Sequence, residues 1–255
     1  SRSNAIALGA LLALGMSYGD ALSLISSKVN ILEINMGLLN DIKNLFRVVY
    51  KQKNNKISNI LVYGAASFIG RALIKGISAD YKLFCPTQKD LDFSSKFFIL
   101  DYYVDKNDID FIIYILPSGD GSAKSMADAV VATKNVLGLC QLNRLGLLYI
   151  SSLSAVSSAG NYGETKLLCE ELVKMYQNKY KTEVAVIRPA MLFGEDMAKE
   201  SFIFKFFEKA KKNDTIRTHK YNNYLPVFDF LYIDDFIKAI KKSLIIRPNK
   251  IINIG

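Results

Sequence analysis

The strongest constraint on this chain is a change of period after residue 56. Beyond that point short β-branched apolar runs alternate with longer stretches of helical period. Residues 57–63, 83–85, 110–116, 146–151 and 184–187 read as strands, and 68–77, 123–142 and 162–180 read as helices between them. A strand lying parallel to its neighbour needs a crossover of about a dozen residues or more, which segments of this length supply. The runs are apolar throughout rather than alternating, as in strands covered on both faces. The pattern predicts the α/β class: a doubly wound parallel sheet with helices on both sides.

The first turn of that pattern carries Gly64-Ala65-Ala66-Ser67-Phe68-Ile69-Gly70 between a strand and a helix. Small residues here let the backbone approach a phosphate, and the helix start directs free N–H groups and a positive dipole end at it. Gly64 makes the tight turn and Gly70 lets the helix pack closely. Ser67 keeps the turn if its φ is negative, and its hydroxyl is available to a phosphate. The expectation is a Rossmann-like dinucleotide site built from Gly64, Ser67, Phe68, Ile69, Gly70 and Arg71. An acid about 20 residues on would take the adenine ribose hydroxyls of NAD, but Phe84-Cys85 stand there, followed by Thr87-Gln88-Lys89. Lys89 with Arg71 suits the 2′-phosphate of NADP, so NADP is favoured slightly over NAD.

The remaining residues set limits. Half the chain is hydrophobic and 22% is charged, ordinary globular composition for 255 residues. Helical spacing runs through Ala21, Leu22, Leu24 and Ile25 and again through Leu38, Leu39, Ile42, Leu45 and Phe46. With the polar run 51–56 as a linker, residues 1–55 read as an N-terminal helical segment and 56–255 as the main domain. The apolar stretch 5–16 is too short for a membrane span, which needs about 20 residues, so no membrane partner is expected. The start at Ser1 and the stop in the apolar run at Ile254-Gly255 read as cuts from a longer chain. The net charge of +9 suits an anionic partner; with no recognition motif for nucleic acid, a small molecule is the expectation. Three cysteines without close spacing suit free thiols in a reducing cytoplasm. A single histidine, His219, gives poor support to a metal site or a Ser-His-Asp triad, so no metal is expected.

Tyr149-Ile150-Ser151-Ser152 closes one strand, and Tyr162-Gly163-Glu164-Thr165-Lys166 opens the next helix. This Ser…Tyr-x-x-x-Lys set resembles the active site of the short-chain dehydrogenases/reductases. Thr133-Lys134-Asn135-Val136-Leu137, Arg188-Pro189 with Phe193-Gly194, Tyr232-Ile233-Asp234-Asp235 and Asn253-Ile254-Gly255 follow in the order of the extended branch, the sugar-nucleotide epimerases and dehydratases. The resemblance covers residues 57 to 255. It implies an NAD(P)-dependent epimerase or reductase acting on a nucleotide-linked sugar. Tyr162 is then the acid/base, Ser152 (or Ser151, one position away) a hydrogen-bond donor to the reacting oxygen, and Lys166 the ribose ligand. Pro189 lies near the cofactor, the substrate-binding region begins near residue 190 and is partial, and a homodimer is possible. Positions i and i+4 share a helix face, so the Lys166 ammonium is expected to lower the pKa of Tyr162. Departures from the family pattern are Ser67 for glycine, Ala129 for asparagine, Leu116-Pro117-Ser118-Gly119 after the third strand, Leu153-Ser154 where dehydratases carry an acid, and a short loop from Ser152 to Tyr162. Ser67, Ala129 and the short loop also fit a non-catalytic NAD(P)-binding scaffold or redox sensor of the same fold, while Leu153-Ser154 disfavours dehydration.

Overall fold

Apolar runs that cannot face water dictate the centre of this molecule, a parallel sheet covered on both sides. A computed structural model describes residues 2–13, 16, 18–28, 42, 56–116, 119–157, 160–218 and 228–255. In chain order the strands are β1 (Asn59–Tyr63), β2 (Lys82–Phe84), β3 (Phe111–Ile115), β4 (Gly146–Ile150), β5 (Val184–Pro189), β6 (Met191–Phe193), β7 (Phe230–Tyr232) and β8 (Ile251–Ile254). The helices are α1 (Arg2–Ala13), α2 (Tyr18–Lys28), α3 (Phe68–Ile77), α4 (Phe97–Lys106), α5 (Ala123–Asn143), α6 (Ser154–Ser157), α7 (Gly160–Tyr180), α8 (Phe202–Lys211) and α9 (Ile233–Ile246). Six strands form one sheet in the order β2-β1-β3-β4-β5-β8, every pair parallel. This is the Rossmann-like arrangement expected from the sequence.

Successive strand residues face opposite sides, and the two cores divide accordingly. Leu61 and Tyr63 of β1 face a layer with Leu100, Val136, Cys169 and Val173 from α4, α5 and α7. Ile60 and Val62 face the other layer, with Leu73, Ile77, Phe236 and Ile240 from α3 and α9. All of β3 is buried, which is why it reads as an unbroken apolar run. At the carboxyl ends of the central strands, Tyr63, Tyr114 and Tyr149 stand in register and stack, with centroids 5.6 Å apart at each step.

Strands β1 to β5 agree with the sequence reading to within two residues, whereas β6, β7 and β8 and helices α4, α6, α8 and α9 were not anticipated from it. Helix α4 is Phe-Phe-Ile-Leu-Asp-Tyr-Tyr-Val-Asp-Lys, a composition favouring strands. It is covered on two sides, which removes the polar face a surface helix shows. Leu100 and Val104 meet the sheet, while Phe97, Phe98 and Tyr102 meet a third cluster of Leu8, Tyr18, Ala21, Ile25, Ile42 and Leu142. The Tyr18 hydroxyl donates to Asp101, which also accepts from the Asn143 amide at 2.8 Å. Helices α1 and α2 thus pack on the sheet's helical layer. The helical reading over Leu38, Leu39, Leu45 and Phe46, the linker at 51–55, Pro117-Ser118 and His219 lie outside the described residues.

After β5 the chain forms a small second layer. β6 and β7 pair in parallel apart from the main sheet, and α8 carries Phe202 against Phe206, Phe228 and Phe230. Among the described residues no helix is long and apolar enough to cross a membrane.

Candidate active site

The order of the sheet reverses at β1, with β2 on one side and β3 on the other. In open α/β sheets ligands bind in the crevice at the carboxyl ends of such strands. The glycine loop opens there. Gly64 has φ +83°, and a Cβ on it would collide with the carbonyl of Ile115 at the end of β3. A Cβ on Gly70 would strike the carbonyls of Gly64 and Ala65. Both positions need glycine, and together they leave a shallow cradle at the start of α3.

Ser67 fills the middle position with φ −70°, the negative value that a serine needs there. Its hydroxyl is used inside the loop: it donates to the Gly64 carbonyl at 2.7 Å and accepts from Gly70 N–H at 3.0 Å. Ser67 is thus the N-cap of α3 rather than a free phosphate donor. The N–H groups of Phe68 and Ile69, which have no intrahelical acceptor, remain with the positive helix end. This cradle fits the pyrophosphate of a dinucleotide. Arg71 reaches the carbonyls of Ala66 at 2.7 Å and Asp196 at 3.0 Å, tying the loop to the chain after β6. Lys89 is exposed in the turn after β2. The carboxylate beside it, Asp90, is held by the Thr87 N–H at 3.0 Å and hydroxyl at 2.6 Å.

The second half of the site grows from the end of β4. Consecutive residues point to opposite sides, and this separates Ser151 from Ser152. Ser151 is buried and its hydroxyl donates to Glu170 on α7. Ser152 is only part-buried; its hydroxyl accepts from Ser154 N–H at 3.1 Å and stands close enough to the Tyr162 phenol to favour its ionised form. Of the two serines, Ser152 is the one beside Tyr162. Pro189 ends β5 opposite Ile254, and its carbonyl accepts from Leu153 N–H at 3.2 Å, so it braces the loop that carries Ser152.

Tyr162 lies in the first turn of α7 with 37% of its surface exposed. Lys166, one turn on, is buried. Its ammonium donates to the carbonyls of Ile150 at 3.1 Å and Leu116 at 3.4 Å, 5.4 Å from the Tyr149 ring centre and 5.6 Å from that of Tyr162. Burial pulls its pKa down to about 8, against the opposing influence of Cys169 and Glu170. The Tyr162 phenol is raised, chiefly by burial, with the Ser152 hydrogen bond working the other way. The expected lowering by Lys166 is therefore reversed in the chain alone. Sharing a helix face brings the two side chains together, but the ammonium is directed into strand-end carbonyls and desolvation of the phenol wins.

Glu170 was not anticipated from the sequence. Fully buried, it accepts from Ser151 and from both Nε (2.9 Å) and a terminal nitrogen of Arg188. Its signal was an acid four residues beyond Lys166, on a helix face that must meet the sheet. Ala129, at the position of the missing asparagine, is buried in α5, and its carbonyl accepts from Thr133 at 2.8 Å. Among the described residues no group of histidine, cysteine and acidic side chains suits a metal ion.

A sequence search of curated proteins returns no match. Solved structures do match in fold. UDP-N-acetylglucosamine 4-epimerase from Bacillus cereus aligns with a TM-score of 0.64 at 23% identity, over 78% of this chain and 75% of that one. dTDP-glucose 4,6-dehydratase from Bacillus anthracis, in complex with NAD, aligns with a TM-score of 0.65 at 19% identity, over 78% and 75%. UDP-glucuronic acid 4-epimerase from Bacillus cereus, also with NAD, gives 0.59 at 19% identity, over 77% of each chain. The family model of the NAD dependent epimerase/dehydratase family matches residues 60–255, the span that holds the glycine loop, Ser152, Tyr162 and Lys166. The chain belongs to the NAD-dependent epimerase/dehydratase family, within the extended short-chain dehydrogenases/reductases.

Proposed function

We propose that this protein is an NAD(P)-dependent oxidoreductase or epimerase acting on a nucleotide-linked sugar, with Tyr162 as its acid/base. The observation that carries the reading is the gathering of Ser152, Tyr162 and Lys166 at the end of β4, beside the crevice where the glycine loop opens. Structural neighbours that act on UDP- and dTDP-linked sugars support the substrate class.

When bound, the nicotinamide supplies the hydride acceptor or donor. Tyr162, its phenol raised by burial, holds its proton at neutral pH and passes it to the oxygen of a sugar carbonyl. In the reverse direction it takes the proton of the corresponding hydroxyl. Ser152, with one proton to give, donates to the same oxygen before the transfer and to the phenolate after it, which offsets the desolvation of that anion. Lys166 holds the nicotinamide ribose with its ammonium. Gly64, Ser67, Phe68, Ile69 and Gly70 hold the pyrophosphate, Ser67 acting as the helix cap that shapes the cradle. The reading is tested by incubating the protein with UDP- and dTDP-hexoses and either cofactor, following sugar inversion or reduction by NMR. Absence of turnover across the panel with cofactor bound would favour the scaffold reading, to which Ala129 and the loop-locked Ser67 hydroxyl lend some weight.

With the Arg71 guanidinium on two carbonyls, Lys89 is the cation offered to a 2′-phosphate. NADPH is expected to bind more tightly than NADH by up to about fivefold, the strength of an exposed ion pair, and Lys89→Ala to remove the difference. Equal affinities in the unsubstituted protein would count against NADP. The boundary near residue 55 and a cytoplasmic setting belong to the same proposal. So does a homodimer through α5 and α7, which expose Val131, Leu168 and Met175; sedimentation velocity measures it, and a monomer at micromolar concentration would count against it.

A further inference from the structure

Glu170 and Lys166 present opposite problems one helical turn apart. Burying a carboxylate is costly unless its oxygens are paired, and those of Glu170 are shared between two strands. Arg188 of β5 forks onto both oxygens, and Ser151 at the end of β4 donates to one of them. Each partner adjoins the candidate site: Ser151 precedes Ser152, and Arg188 precedes Pro189, whose carbonyl braces Leu153. Lys166 is a buried ammonium with two carbonyls and two aromatic rings around it and, among the described residues, no carboxylate in ion-pair contact.

We propose that Glu170, anchored by Arg188 and Ser151 one helical turn from Lys166, is a positioning residue that keeps the buried ammonium charged. The inference rests on the reading of Lys166 as the ribose ligand. The groups facing the ammonium are Tyr162, Cys169 and Glu170 from α7, Tyr149 from β4, and the carbonyls of Leu116 and Ile150; Arg188 of β5 acts through Glu170. Burial draws Lys166 down to about 8, and the Glu170 charge works the other way. Replacing Glu170 by glutamine removes the opposing negative charge and leaves Arg188 uncompensated. Both changes favour neutral Lys166, so a larger share of it is uncharged at pH 7 to 8.

The test is a side-chain 15N NMR titration of the Lys166 Nζ, paired with NADH affinity measured across pH, on three proteins: unsubstituted, Glu170→Gln, and Glu170→Gln with Arg188→Met. The double variant removes both charges of the pair and so avoids stranding Arg188. In the single variant the Lys166 midpoint is expected to fall by about one pH unit, which leaves about fivefold less charged Lys166 at pH 8 and weakens NADH accordingly; in the double variant it falls by less, because the Arg188 charge is gone as well. An unchanged midpoint in the single variant, or a return to the original midpoint in the double variant, overturns the proposal, because the ion pair would then act only as a fold anchor. The titration needs no turnover. Failure of Tyr162 as the acid/base would appear in a Tyr162→Phe assay and leave this midpoint where it is.

Discussion

Tyr162→Phe is expected to reduce sugar turnover by about 10²–10⁴-fold, the range a positioned acid/base supplies, with cofactor affinity changed less than about twofold. The substitution removes one oxygen and little else. The ring stays over Lys166, whose ammonium lies 5.6 Å from its centre and donates its hydrogen bonds to the carbonyls of Ile150 and Leu116. The glycine loop is untouched, so the pyrophosphate cradle remains. A kcat loss with KM for the nucleotide unchanged is therefore the signature, as for an interaction made in the transition state. A fully active Tyr162→Phe protein would remove Tyr162 from the mechanism. The raised phenol adds a pH expectation: in the oxidising direction, where Tyr162 must accept a proton, activity rises with pH through neutrality.

The largest loss of stability is expected from Arg188→Ala, about 3–5 kcal/mol, because it strands a buried carboxylate. The Glu170 side chain is 0% exposed and the Arg188 side chain 15%, so solvent can relieve little of the stranded charge. For a chain of this size that corresponds to a fall in Tm of roughly ten degrees or more. Differential scanning calorimetry measures it, and a shift under about two degrees would mean that Glu170 finds another partner.

The fold was legible wherever burial leaves a one-dimensional trace. Strands β1, β3 and β4 are apolar on both faces and announced themselves, and the collinear Gly64, Tyr162, Lys166 and Arg188-Pro189 motifs carried the family. Helix α4 left no such trace, because a helix packed between the sheet and α1–α2 has no polar stripe. Ser151 and Ser152 were indistinguishable in sequence, since adjacent strand residues differ only in the face they present. Their roles separate once Ser151 is found on Glu170 and Ser152 beside Tyr162.

Charge was the least legible quantity. A spacing of four residues correctly brought Tyr162 and Lys166 to one helix face, yet the pKa of the phenol moved opposite to the expectation. Likewise Ser67 and Arg71 have the chemistry to meet phosphates but spend it on Gly64, Gly70, Ala66 and Asp196. By itself the sequence determined the parallel sheet, the glycine turn and the residues that gather at its carboxyl edge, because periodicity and steric demands are local. Tertiary structure alone decided which polar groups remain available and which are already paired. Hydrogen-bond partners and desolvation depend on what the chain brings across from distant strands, and Glu170, held between β4 and β5 beside Lys166, is the clearest case.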